Sequence, residues 1–190
     1  MTDNVIDSEL LFPHAILGYR AWWRDGTRLY SITDARDGAW IPGVSTAICK
    51  SVPDPKALQL SEHQPPVANC GCGFYAYHDL AQVLRRRGKD KDAMVIGAVA
   101  GSGKVFIHRQ GFRCRQIQIL GLLADADADG IVAVLGKHYQ VPTFDTTDQL
   151  KEHVGRLGVF AASDDLLYSQ GRLKRLREKM KVRRSRSWWF

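Results

Sequence analysis

The stretch from Cys49 to Cys72 sets the tightest limit on how this chain folds. It holds three of the four cysteines, one histidine (His63), and prolines at 53, 55, 65 and 66. A connection this long inside one domain needs a function, disorder or a clip that ties it down. Thiolates and a neutral imidazole are good zinc ligands, and a structural site takes four of them in a tetrahedron. Cys49, His63, Cys70 and Cys72 are therefore read as the ligands of one structural zinc ion. The spacer in Cys70-Gly71-Cys72 is shorter than the usual knuckle, and Gly71 relaxes the backbone there. His78, then Cys114, are the substitutes should His63 not be the histidine ligand. The competing reading is a set of reduced or partly buried structural cysteines. A catalytic zinc needs an open position and a nearby acid or base, a part that Glu62 beside His63 could take.

The chain around this loop reads as α+β. The first two-thirds are strand-rich and the last third is helical. Ala15 to Arg24 and Thr27 to Ile32, split by Asp25-Gly26, read as a hairpin. Ser45 to Cys49 is a third short strand, and Gly73 to Tyr77 a fourth. Asp79 to Arg87 reads as a helix with Leu80, Val83 and Leu84 on one face and Gly88 as its stop. Met94 to Ala100 and Lys104 to Arg109 flank Gly101-Ser102-Gly103, which reads as a hairpin turn. Gly111 opens another strand in which Ile117 and Ile119 share a face. Helices follow at 126–139, and from a Thr147 cap through Leu157. A last helix is expected from Ser163 into the basic tail. Residues 1–123 form the β-rich body, 124–170 the helical part of the same domain, and 171–190 a separate tail.

Composition matters chiefly for partners. With 190 residues, 45% apolar and 25% charged, the chain can bury a core without staples. The net charge is +7. Arg172, Lys174, Arg175, Arg177, Lys179, Lys181, Arg183, Arg184 and Arg186 stand against Glu178 alone, so the tail carries more than the whole excess. Lys and Arg attract a phosphate backbone without sequence specificity. Trp188 and Trp189, followed by Phe190, can stack on unpaired bases. Nucleic acid or a ribonucleoprotein is the first expected partner. An anionic membrane surface suits the same composition, as does a tail docked back on the protein. No window is apolar enough for a transmembrane helix. The opening residues read as neither a secretory signal nor a transit peptide, so a cytoplasmic location is expected. Four cysteines there favour thiols or a metal over disulfides.

Two tempting motifs fail. Gly101-Ser102-Gly103-Lys104 lacks the phosphate-loop glycine at 98, which is Ala98, and the hydroxyl at 105, which is Val105. Asp125 to Gly130 matches half a calcium loop, but its twelfth position is Gly136, where a bidentate Glu is required. His108, Arg109 and Arg113 form the remaining polar cluster. They could fork onto a phosphate or carboxylate, which makes an enzyme on a nucleotide-like substrate, such as an ADP-ribosyl transferase, the alternative function. The bland reading is a hairpin with satisfied polar groups.

An ordered series of short segments carries a resemblance. It runs G-Y-R-A-W at 18–22, L-Y-S at 29–31, Trp40, A-I-C at 47–49, and His63 followed by prolines. C-G-C-G-F-Y-A-Y at 70–77, G-A-V at 97–99, G-K-V-F-I-H-R-Q-G-F-R at 103–113 and Y-Q-V-P at 139–142 complete it. This resembles a family of small bacterial and phage proteins for which no activity is established. Their shared segments are Cys-x-Cys-Gly-x-Tyr-Ala and Gly-Lys-Val-x-x-His-x-x-Gly-Tyr-Arg. Two departures stand out: Cys114 replaces the usual alanine, and an aromatic-proline pair after it is missing. The resemblance implies that Cys114 is not a family-wide ligand, and it allows a phage-type host-interaction role. The leading expectation is a non-enzymatic binding or regulatory protein with a structural zinc and a tail that touches nucleic acid or another anionic partner.

Overall fold

The computed structural model describes residues 9–11, 15–32, 38–49, 63–67, 70–87, 93–125 and 129–161. The basic tail, the helix expected from Ser163, the Gly88 stop and Glu62 lie outside the described residues.

Two long strands form the frame. β6 (Met94–His108) and β7 (Gly111–Leu123) pair antiparallel along most of their length. β2 (Ile16–Asp25) pairs with the first half of β6, and β5 (Phe74–Tyr77) with the first half of β7. The Tyr19–Tyr77 pair joins β2 to β5, so the circuit β6–β2–β5–β7–β6 closes on itself. A closed sheet leaves few free edges. β1 (Glu9–Leu11) adds to the second half of β6, and β3 (Arg28–Ser31) forms the expected hairpin with β2. β4 (Val44–Thr46) lies on β7, while β8 (Thr143–Phe144) and β9 (Phe160–Ala161) add parallel to β7 and β2.

Side chains alternate across this sheet. One face holds Trp22, Val99, Val105, Ile107, Phe112, Cys114, Ile117 and Leu122 in the main core, closed by Val132, Leu135 and Tyr139 of α2 (Ile131–Tyr139). The other face puts Tyr19, Ala21, Ile96, Ala98 and Leu123 against α1 (Leu80–Arg87) and α3 (Thr147–Arg156). α2 also ties β3 to Trp40. The Tyr139 hydroxyl accepts from Leu29 N at 2.9 Å and donates to Trp40 O at 3.1 Å.

The α+β class holds, with the helices and strands mixed more than expected. α1 lies in the strand-rich body as expected, but β8 and β9 return from the helical part to the same sheet. The expected turn at Gly101-Ser102-Gly103 is corrected: β6 runs straight through it, and the hairpin turns at Arg109-Gln110. The glycines answer packing. A Cβ on Gly101 would sit 2.3 Å from the Phe112 ring and 2.9 Å from Cys114 Sγ. Gly103 has φ +76° where the β6–β7 register shifts, which is bulge geometry. That shift also lets Cys114 and Ile117 share a core despite their odd spacing. The helix expected from Ala126 begins at Ile131, because Gly130 at φ 65° stops it from extending backward. α3 is capped by Thr146, one residue earlier than expected, through a full capping box with Gln149.

Candidate metal centre

β4 and β5 occupy the same edge of β7 in one line. Thr46 faces Gln116, the Ala47 amide donates to Arg115 O at 2.8 Å, and Phe74 faces Cys114. The chain therefore leaves the sheet after Ala47 and returns at Phe74, the next position along that edge. Cys49 stands just outside the exit, and Cys70 and Cys72 just before the return. His63 comes back from the loop to meet them.

The donor atoms of Cys49, His63, Cys70 and Cys72 all lie within 4.8 Å of one another, and all four residues are half-buried. Cys49 Sγ is 3.7 Å from Cys70 Sγ, and His63 Nε2 is 3.2 Å from Cys72 Sγ. Sulfurs bonded to each other stand about 2.05 Å apart, so these cysteines are thiols. The cluster can bind a metal ion.

Its electrostatics point the same way. Burial pushes the Cys72 thiol up to about 11, helped by its hydrogen bond with Cys70 and by the Cys70 and Cys49 sulfurs. A Val67 backbone hydrogen bond pulls against this. Several thiols this close cannot all ionise without a cation, and a divalent cation reverses that logic.

Three side chains hold the turn in place from the sheet below. Arg113, 4% exposed, donates to the carbonyls of both Cys70 and Cys72, and its Nε lies 3.2 Å from His108 Nε2. Arg115 donates to Gln64 Oε1 at 2.8 Å, and the Tyr75 hydroxyl to Gly71 O at 3.2 Å. The sequence reading gave Arg113 a different part and missed Arg115 and Tyr75. The signal was there: 113 and 115 alternate with the core residues Phe112 and Cys114, so they must face away from the core.

The other sequence candidates separate. His78 stands outside the four-residue cluster, its Nε2 3.1 Å from His108 O. Cys114 is fully buried in the main core, where burial pushes its thiol up to about 12. His108 and Arg113 meet, but Arg109 sits exposed in the hairpin turn. Arg113 is turned onto the Cys70–Cys72 carbonyls. Asp125 takes a bidentate ion pair with buried Arg87, both contacts 2.7 Å. No described helix is long and apolar enough to cross a membrane.

No family model, curated protein or solved structure matches this chain.

Proposed function

We propose that the cluster holds a structural zinc ion, and that the protein is a non-enzymatic binding protein whose basic C-terminal segment contacts nucleic acid. The convergence of four protein donors carries the zinc reading. Three thiolates and an imidazole favour zinc over the oxygen-seeking divalent ions. Ligands about 2.3 Å from a tetrahedral centre stand about 3.8 Å apart, close to the Cys49–Cys70 separation of 3.7 Å. Four protein ligands leave no position for substrate or water, which is the mark of a structural site. Three thiolates around a divalent ion leave one net negative charge, and the buried Arg113 beneath the turn offsets it.

The binding reading rests on the distribution of charge. Arg20, Arg87 and Arg113, the buried arginines among the described residues, are each bonded to protein partners. The cations at 172–186 have almost no acid beside them. Their expected ligand is a phosphate backbone.

Elemental analysis tests the first part: one zinc per chain in the wild type, and none in Cys70→Ser/Cys72→Ser. Absence of zinc from correctly folded protein refutes it. The second part is tested with the full-length chain carrying Arg183, Arg184 and Arg186 as Gln. Each lost phosphate contact should reduce the slope of log affinity against log salt by about 0.7 on single strands. Binding to no polynucleotide, or binding indifferent to salt, refutes it.

A further inference from the structure

The inference drawn from the folded body rests on the nucleic-acid contact proposed for the C-terminal segment. From Met94 to Ala124 the sequence contains no acidic residue. Its cations, Lys104, Arg109, Arg113 and Arg115, all fall in the half of the β6–β7 hairpin nearest its turn. α1 adds Arg85 and Arg86, both exposed, with no acid in the helix. Five of the described acids, Asp125, Asp129, Asp145, Asp148 and Glu152, lie on the α2 and α3 side, and Asp25 ends β2; within the cationic half stand only Asp79, at the start of α1, and Glu9, paired with Phe106.

This electropositive half presents one sheet face. Phe106, Arg113 and Tyr75 are direct cross-strand neighbours, and their sequence neighbours Val105, Cys114 and Ala76 point into the core. The guanidinium of Arg113 lies between two rings, 5.6 Å from Tyr75 and 5.5 Å from Phe106. Phe106 is covered, but Tyr75 is 42% exposed. Two residues along the same strand, Tyr77 is stacked by Arg86, 5.2 Å from the ring. A guanidinium plane on a ring is itself a surface on which a base can stack.

We propose that Tyr75 and the Arg86–Tyr77 stack form a stacking platform for an unpaired nucleic-acid strand, DNA or RNA, flanked by Arg85 and Arg109. Positions two apart on a strand are about 7 Å apart. Bases stacked in a duplex rise only about 3.4 Å each. The platform therefore suits successive bases that are spread apart. The Tyr75 hydroxyl, donated to Gly71 O, fixes the ring against the metal turn, so little ordering is left to binding.

The test uses the full-length, metal-replete chain with oligo(dT), oligo(U) and a hairpin duplex of equal length at fixed salt. Tyr75→Ala should weaken single-strand binding about tenfold. Tyr75→Phe keeps the ring without the hydroxyl and should stay within about twofold. Arg86→Gln/Arg109→Gln, which does not touch the metal turn, should lower the salt slope by about 1.4. Photocrosslinking with a bromouridine oligonucleotide should map to 75–77. If Tyr75→Ala loses its metal, the arginine pair and the crosslink decide. Unchanged affinity and slope in these variants, crosslinks confined to 171–190, or a duplex bound as tightly as the single strands each overturn the platform and leave the tail reading standing. A wild type that binds no strand overturns both.

Discussion

Replacing Arg113 by methionine tests the most specific claim about the metal centre. The guanidinium sits 4% exposed between the Tyr75 and Phe106 rings and donates to the carbonyls of Cys70 and Cys72. Methionine fills a slot between rings well, so the perturbation removes charge and donors more than volume. Hydrogen bonds from a charged group contribute about 1.5–3 kcal/mol each. Two acceptors left without their donor, one of them partly recovered by water, bring the loss to about 3–5 kcal/mol. In a chain of this size that lowers Tm by about 10 °C. Loss of a group that orients metal ligands also weakens metal binding, by about 10- to 100-fold. Competition for zinc against a chromophoric chelator reads the affinity, and calorimetry at saturating zinc reads the stability. Arg113→Lys keeps the charge and, like Nη1, has more than one proton to offer the two carbonyls, but it loses the Nε contact with His108 and the planar stack on the rings, so it should fall between the two. An Arg113→Met protein with wild-type zinc affinity would show that the turn is held by other means, and that charge balance at the site does not depend on Arg113.

Three further outcomes are expected. Stripping the metal with a chelator reopens the loop closed between Cys49 and Cys72; loop entropy alone makes this about 3 kcal/mol. Tm should drop by about 10 °C in calorimetry, and an unchanged transition would mean that no metal closes the loop. Gly101→Ala pushes a methyl to 2.3 Å from the Phe112 ring. The urea midpoint should fall by the equivalent of about 1–3 kcal/mol, whereas a midpoint like that of the wild type would return this glycine to a turn. Cys114 keeps its proton in the fold up to about 12, against an ordinary value of 9.0. The unfolded chain loses that proton first, so this contribution is complete below pH 9 and declines as pH rises toward 12, by about 1.4 kcal/mol per pH unit. Cys114→Ala should flatten that alkaline decline in denaturant titrations, and an unaltered slope would assign it to other groups.

Much of the centre was legible because its constraint is local chemistry. Soft ligands that bracket a proline-rich loop have few other uses, and the structure brings together the four that spacing picked out. The β2–β3 hairpin and α1 were legible for the same reason, being set by turn residues and a short apolar period. What escaped depended on distant partners. Gly101 and Gly103 carry the composition of a turn, and only the presence of Phe112 across the strand explains why they pack and bulge instead. Arg113 looked like an anion ligand because nothing nearby in sequence told it to hold the carbonyls of Cys70 and Cys72. The start of α2 was misplaced because alanine favours helix, while Gly130 in the left-handed region overrides it. That β4 and β5 share one edge of β7 has no sequence signal at all, since the strands are separated by the whole loop.

That shared edge has an architectural consequence. Thr46, Ala47 and Phe74 meet Gln116, Arg115 and Cys114 in unbroken succession. Read as architecture, β4 and β5 are a single strand cut open, with everything from Ile48 to Gly73 spliced into the gap. Joining Ala47 directly to Phe74 would keep the pairing register of the sheet. The inserted segment can therefore be exchanged, lengthened or rewritten while the sheet keeps its pairing. The limit on such rewriting lies at the base of the insert, where Cys70 and Cys72 must still offer their carbonyls to the buried Arg113.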